Sequence, residues 1–198
     1  MHASKQKAIF LGKDGTLIEN VPYNVDPERM TLCPGVLTGL PLLFASGYQI
    51  VVVSDQPGVA LGFFREADLG PVEARLRDML AGLGVPLAGF YYCPHHERGS
   101  VAGYAFACSC RTPGPGMLQR AAAELHLDLA SSWLIGDTLD DIEASHAAGA
   151  RAMLIDNGNE TEWRTEHEPR RPDRIADDLA EAALIIASSA PRRNTPVV

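Results

Sequence analysis

The sequence predicts an α/β fold, a parallel sheet with helices on both faces. Three observations carry that expectation. Short apolar runs alternate with stretches of helical periodicity along most of the 198 residues. One run, YQIVVVSD (48–55), is continuously apolar and β-branched, the pattern of a strand buried on both faces. The intervals between runs leave room for the crossover helices that parallel strands require.

The elements follow in chain order. Residues 8–11 (AIFL) read as the first strand. PGVLTGLPLLFASG (34–47) opens on Pro34 and Gly35, carries an apolar face and stops at Gly47, so it reads as a helix. After the strand at 48–55, residues 67–84 place Val72, Leu76, Met79, Leu80 and Leu83 at helical spacing. AGFYYCP (88–94) is a short third strand, and 115–127 is helical. Residues 132–137 form a strand, 138–150 a helix and 151–156 a further strand. Residues 173–189 read as a final helix and 191–198 as a flexible tail. No repeat or linker divides the chain, so 1–190 is expected to be a single domain.

Composition narrows the classes of function. Hydrophobic residues make up 46%, enough for a sizeable core, and no apolar run reaches the length of a membrane span. The net charge of -8 weighs against a nucleic-acid partner, because phosphate backbones are held by a surplus of Lys and Arg. The opening MHASKQK lacks an apolar signal region, so a cytoplasmic location is expected. In that compartment close cysteine pairs suggest metal more than disulfide.

Two acidic elements stand at strand ends: Asp14, and GDTLDD (136–141). In open α/β sheets the carboxyl ends of strands border the ligand crevice. Asp137 and Asp141 are four apart at a helix start and share a side. Carboxylates that converge repel one another unless a cation sits between them, and oxygen-rich sites of this kind suit Mg²⁺. The plainer reading of Asp137 and Asp140 is helix capping and dipole matching. A separate set is soft: CPHH supplies Cys93, His95 and His96, and CSC supplies Cys108 and Cys110. Two Cys/His pairs joined by a short loop suffice for a closed tetrahedral zinc site; the alternative is reduced surface cysteines without metal.

Taken together, FLGKDGT, VVVSDQPGVALGFF, YYCPHH, CSCRTPGPGML and LIGDTLDDIEASHAAGA occur in the order of a known family. Over roughly residues 8–158 the chain resembles the haloacid-dehalogenase-like (HAD) phosphatase superfamily. The closest likeness is to its D-glycero-D-manno-heptose-1,7-bisphosphate 7-phosphatase and histidinol-phosphate phosphatase branch. The resemblance implies a Rossmann-like core with a small zinc-bound loop (93–110) in place of a cap domain. It implies a structural zinc on Cys93, His95, Cys108 and Cys110, with His96 outside the set. It assigns the acid/base role to Asp14 and the phosphate-binding hydroxyl to Ser54, with Asp55, Gln56 and Arg111 beside the substrate. Mg²⁺ would fall to Asp14, Asp137 and Asp141.

The family's chemistry is attack by an aspartate on phosphorus, followed by acid/base work from a second aspartate two residues on. Here the nucleophile position is Gly12, and the phosphate-clamping lysine is Thr112. Asp55 stands for the usual Asn, and Pro57 for a small residue. Lys13, between the two aspartate positions, is expected to face away from the site. The expectation is therefore a family member without the aspartyl-phosphate mechanism, which binds a sugar phosphate or a protein partner. Two alternatives stay open: an active Mg²⁺-dependent sugar-phosphate phosphatase by a rerouted mechanism, and a recruited acid/base enzyme using Asp14. Cys33 is expected to be buried, His126 and His146 to sit in helices, and Trp133 in the core.

Overall fold

The computed structural model describes residues 5–161, 163 and 168–189; the tail expected at 191–198 lies outside them. The sheet is built around β1 (Ala8–Gly12), whose five residues are all buried. β2 (Gln49–Asp55) flanks it on one side and β4 (Trp133–Gly136) on the other. β3 (Leu87–Cys93), β5 (Arg151–Ile155) and β6 (Arg174–Ala176) complete the order β3-β2-β1-β4-β5-β6, and every pairing is parallel. The chain builds outward from β1 through β2 to β3, then restarts beside β1 with β4. A sheet that reverses its winding in this way opens a crevice at the carboxyl ends of the two central strands.

Side-chain alternation divides the core into two layers. Ile9, Leu11, Ile50, Val52, Trp133 and Ile135 face α1 (Val36–Ala45), α3 (Leu69–Gly82) and α6 (Leu179–Ser189). The alternate residues Ala8, Phe10, Val51, Val53 and Leu134 pack on Met117, Leu118 and Ala121 of α4 (Gly116–Glu124). Beside them, Leu139 and Ile142 of α5 (Leu139–Ala148) cover Ala152 and Leu154. A single turn, α2 (Gly58–Leu61), follows β2 directly. Close packing of α1 on α6 depends on Gly39, where a Cβ would collide with the backbone carbonyl of Leu179.

The sequence reading of the last helix needs correction. Residues 174–176 pair with β5, and the helix starts only at Leu179. The strand is too short to display a period of two, and Ile175, Leu179, Ala182 and Ile186 simulate one continuous helical stripe. His126 also lies outside a helix: α4 ends at Glu124, and His126 takes a φ of 54°. Trp133 is in the core as expected, while Cys33 is half-buried. Among the described residues, no helix is long and apolar enough to cross a membrane.

Candidate functional site

A cavity of about 300 Å³ opens at the crevice between the ends of β1, β2 and β4. Its wall includes Gly12, Asp14, Ser54, Asp55, Arg111, Asp137 and Asp141, so most sequence-predicted cleft residues meet there. The turn after β1 sets the approach. Gly15 has a φ of 78°, and a Cβ on it would run into the Asp137 carboxylate. Only glycine allows both the backbone conformation and that closeness.

Asp137 is nearly fully buried and is held from two sides. Thr16 donates to its Oδ1 at 3.3 Å, and Asn159 donates to its Oδ2 at 2.7 Å. Asn157 donates to the Gly15 carbonyl at 2.6 Å, which ties the same segment to the β1 turn. The backbone N–H of Leu139 donates to Glu160 Oε2 at 2.7 Å. Residues 157–160 were not singled out from the sequence. The signal available was an Asn-Gly-Asn turn directly after a strand that neighbours the acidic one.

Burial dominates the electrostatics. It holds the carboxyl of Asp137 above the ordinary carboxylate range against the hydrogen bonds from Asn159 and Thr16. Asp141 is half-buried at the cavity wall, and desolvation pushes its carboxyl up to about 7. Its Oδ2 accepts from the Thr138 hydroxyl at 2.7 Å and the Thr138 N–H at 3.2 Å, while its own N–H donates to the Thr138 hydroxyl. This is the capping box of α5. The capping role expected for Asp137 and Asp140 thus falls to Asp141, and Asp140 pairs instead with Arg170 at 3.0 Å.

Asp14 is likewise raised by burial, although the ammonium of Lys13 lies 2.7 Å from its Oδ1 and acts the other way. The expectation that Lys13 faces away from the site is overturned. It is 2% exposed, lies on the cavity wall and pairs with Asp14. Neither periodicity nor motif spacing fixes the direction of a side chain just past a strand end.

At the end of β2 the groups bond to each other. Asp55 accepts from the Thr112 hydroxyl at 2.6 Å and from the Thr112 N–H at 3.3 Å, and Arg111 stands 3.8 Å from the same carboxylate. Burial still leaves the Asp55 carboxyl above its usual range. Gln56 is buried and turned off the cavity, donating to Ser54 Oγ at 2.7 Å. At Gly12 there is nothing to react, and an added Cβ would fit only tightly, with Thr16 Oγ1 at 3.3 Å having to give slightly.

The loop after β3 folds back so that Cys93, His95, Cys108 and Cys110 converge, their ligand atoms all within 4.8 Å of one another. The sulfur pairs stand 3.0, 3.1 and 3.4 Å apart, far beyond a disulfide bond, and His95 Nδ1 is 3.2 Å from Cys110 Sγ. The ring of His95 packs against Phe106 with centroids 4.3 Å apart. His96 points elsewhere and accepts from the Arg98 N–H. The cluster can hold one metal ion and, with four protein ligands, would leave it no open position.

A family model described as HAD-hydrolase-like matches residues 109–182. The chain is 40% identical over 153 residues to a D-glycero-beta-D-manno-heptose-1,7-bisphosphate 7-phosphatase of Salmonella typhi, covering 77% of this chain and 81% of that one. The same-named protein of Pasteurella multocida is 34% identical over 182 residues, covering 91% and 97%. Among solved structures, D,D-heptose 1,7-bisphosphate phosphatase from B. bronchiseptica, complexed with magnesium and phosphate, superposes with a TM-score of 0.78 at 28% identity, covering 93% and 99%. With this fold, these motifs and this extent of likeness, the chain belongs to the HAD-like phosphatase family, in its heptose-1,7-bisphosphate 7-phosphatase branch.

Proposed function

We propose that this protein binds a sugar phosphate in the cleft and does not turn it over through an aspartyl-phosphate. One observation carries the reading. The Asp55 carboxylate takes up the N–H and hydroxyl of Thr112, the residue standing where the family places its phosphate-clamping lysine. Opposite, Gly12 offers no side chain to attack phosphorus. Binding remains feasible because Ser54, Arg111 and Lys13 still line the cavity. The relatives' names make a heptose bisphosphate the first ligand to try. Titration of heptose 1,7-bisphosphate by calorimetry should give saturable binding, with the sugar recovered intact by ³¹P NMR. Absence of saturable binding to any sugar phosphate would remove this reading.

The zinc assignment rests on the donor chemistry. Three thiolates and an imidazole match a structural site, and bonds of about 2.3 Å to sulfur would set tetrahedral S···S edges near 3.8 Å. The observed sulfur separations of 3.0, 3.1 and 3.4 Å are tighter by roughly half an ångström or more, so a central ion would spread the cluster. Zinc on Cys93, His95, Cys108 and Cys110 would fasten the loop 93–110 beside the cleft.

Mg²⁺ is proposed on the carboxylates of Asp14, Asp137 and Asp141, whose hard oxygen donors suit it. All three carboxyls are held above the ordinary range by burial, Asp141 at about 7. Protons therefore compete with the ion at low pH, and affinity should rise as pH climbs through 7. A Mg²⁺ titration at pH 6 and pH 8 is expected to differ by about tenfold, tighter at pH 8. Equal affinity at both would exclude these carboxylates as ligands.

A second reading draws on Asp14. A half-buried carboxyl held above its usual range by desolvation beside a cleft is the form a general acid takes, which favours recruitment to acid/base chemistry. A cytoplasmic location and a protein partner complete the proposal; the acidic charge makes nucleic acid a poor partner.

A further inference from the structure

Lys13 is the group in the cleft that no family role uses. Its side chain is 2% exposed, yet the residue lines the 300 Å³ cavity and its ammonium reaches Asp14 on the same wall. An ammonium has three donors, and one is taken by Asp14 at 2.7 Å. A buried ion pair gives little net stability over an apolar pair of the same volume, so packing alone does not call for a lysine here.

The charge distribution points the same way. Asp14, Asp55, Asp137, Asp140 and Asp141 all line the cavity, against only Lys13 and Arg111 among the described residues. The side on which the family places its clamping lysine is closed to an anion, because Thr112 donates to Asp55. Arg111 is a third exposed. Its buried Nη1 has no hydrogen-bond partner, though it lies 3.8 Å from Asp55. An anion entering this cleft needs a cation, and of the two that line it Lys13 is the more deeply buried.

We propose that Lys13 holds the anionic group of the ligand, its ammonium bridging Asp14 and a phosphate oxygen and supplying from the β1 turn the charge that Thr112 lacks. The inference rests on the sugar-phosphate reading above and names the residue that makes it work.

Inorganic phosphate, titrated into the zinc-loaded full chain with and without Mg²⁺ and followed by calorimetry, tests it. The Lys13→Met variant keeps the length of the side chain and removes its charge. It is expected to bind phosphate at least about tenfold more weakly, and Lys13→Arg to stay within a few-fold of the unmodified protein. Because Lys13→Met leaves Asp14 unpaired, the pair Lys13→Met with Asp14→Asn is measured beside it. A structural role alone would be relieved in that pair and phosphate affinity would return; the proposal expects affinity to remain low. Wild-type affinity in Lys13→Met or in the double variant, while the unmodified chain binds phosphate, would overturn the role of Lys13 and leave the sugar-phosphate reading standing. No phosphate binding by the unmodified chain would overturn both.

Discussion

Replacing Gly12 by Asp and Thr112 by Lys in one chain is expected to raise phosphate hydrolysis well above that of the parent. The reasoning is steric and electrostatic. Gly12 ends β1 on the cavity wall, where the nearest atom to an added Cβ is Thr16 Oγ1 at 3.3 Å, a tight contact that needs the hydroxyl to shift by a few tenths of an ångström and strains its bond to Asp137. A carboxylate placed there would restore the missing nucleophile two residues before Asp14. Lysine at 112 removes the hydroxyl that now binds Asp55 and puts an ammonium in its place. Loss of a nucleophile costs on the order of 10⁶ in rate in a serine protease, so a partial rebuild should gain roughly 10³ or more over the parent. Phosphate release from sugar phosphates in the presence of Mg²⁺ reads the effect. A folded double variant as inert as the parent would mean that Asp55 and Pro57 have closed the site beyond repair by these two changes.

The second large effect concerns the metal loop. Stripping the ion with a chelator, or changing Cys110 to Ser, should destabilise the protein by several kcal/mol. Structural zinc supplies about 10–16 kcal/mol of apparent binding energy in zinc-finger peptides, and part of that is folding energy. For a chain of this length each kcal/mol moves the melting temperature by about 2–4 °C, so a fall of about 10 °C or more is expected. Calorimetric melting with elemental analysis on the same sample checks it. The physical cause is local: an ion bound there would hold together three sulfurs and an imidazole whose ligand atoms lie within 4.8 Å of one another, and its removal would release them. Equal melting with and without metal would reduce the cluster to four uncoordinated side chains.

Legibility in the sequence followed the strength of each physical signal. β1 to β5 were readable because they are apolar on both faces, and the helices between them because α3 and α4 carry clear stripes. β6 was not, since three residues preceding a helix extend the helix's own apolar spacing. The carboxylates and the Cys/His set were readable as motifs, and the topology does bring them to the crevice and to one loop. The direction of Lys13 was not, because it depends on tertiary burial. Nor was the support of Asp137 by Asn159, which reaches across 22 positions from a loop with no periodic pattern. The pairing of Asp55 with Thr112 spans 57 positions. Each alone reads as a departure from the family pattern; their contact couples the two positions.

The most direct measurement is phosphate release by the unmodified chain, loaded with zinc and supplied with Mg²⁺, over a panel of sugar mono- and bisphosphates, with intact-protein mass read during turnover. The expected result is release at the buffer rate and no phosphorylated protein. Release at an ordinary enzymatic rate of about 1 s⁻¹ or more, or a phosphoryl group carried on any carboxylate of the cleft, would contradict a cleft that binds without turning over.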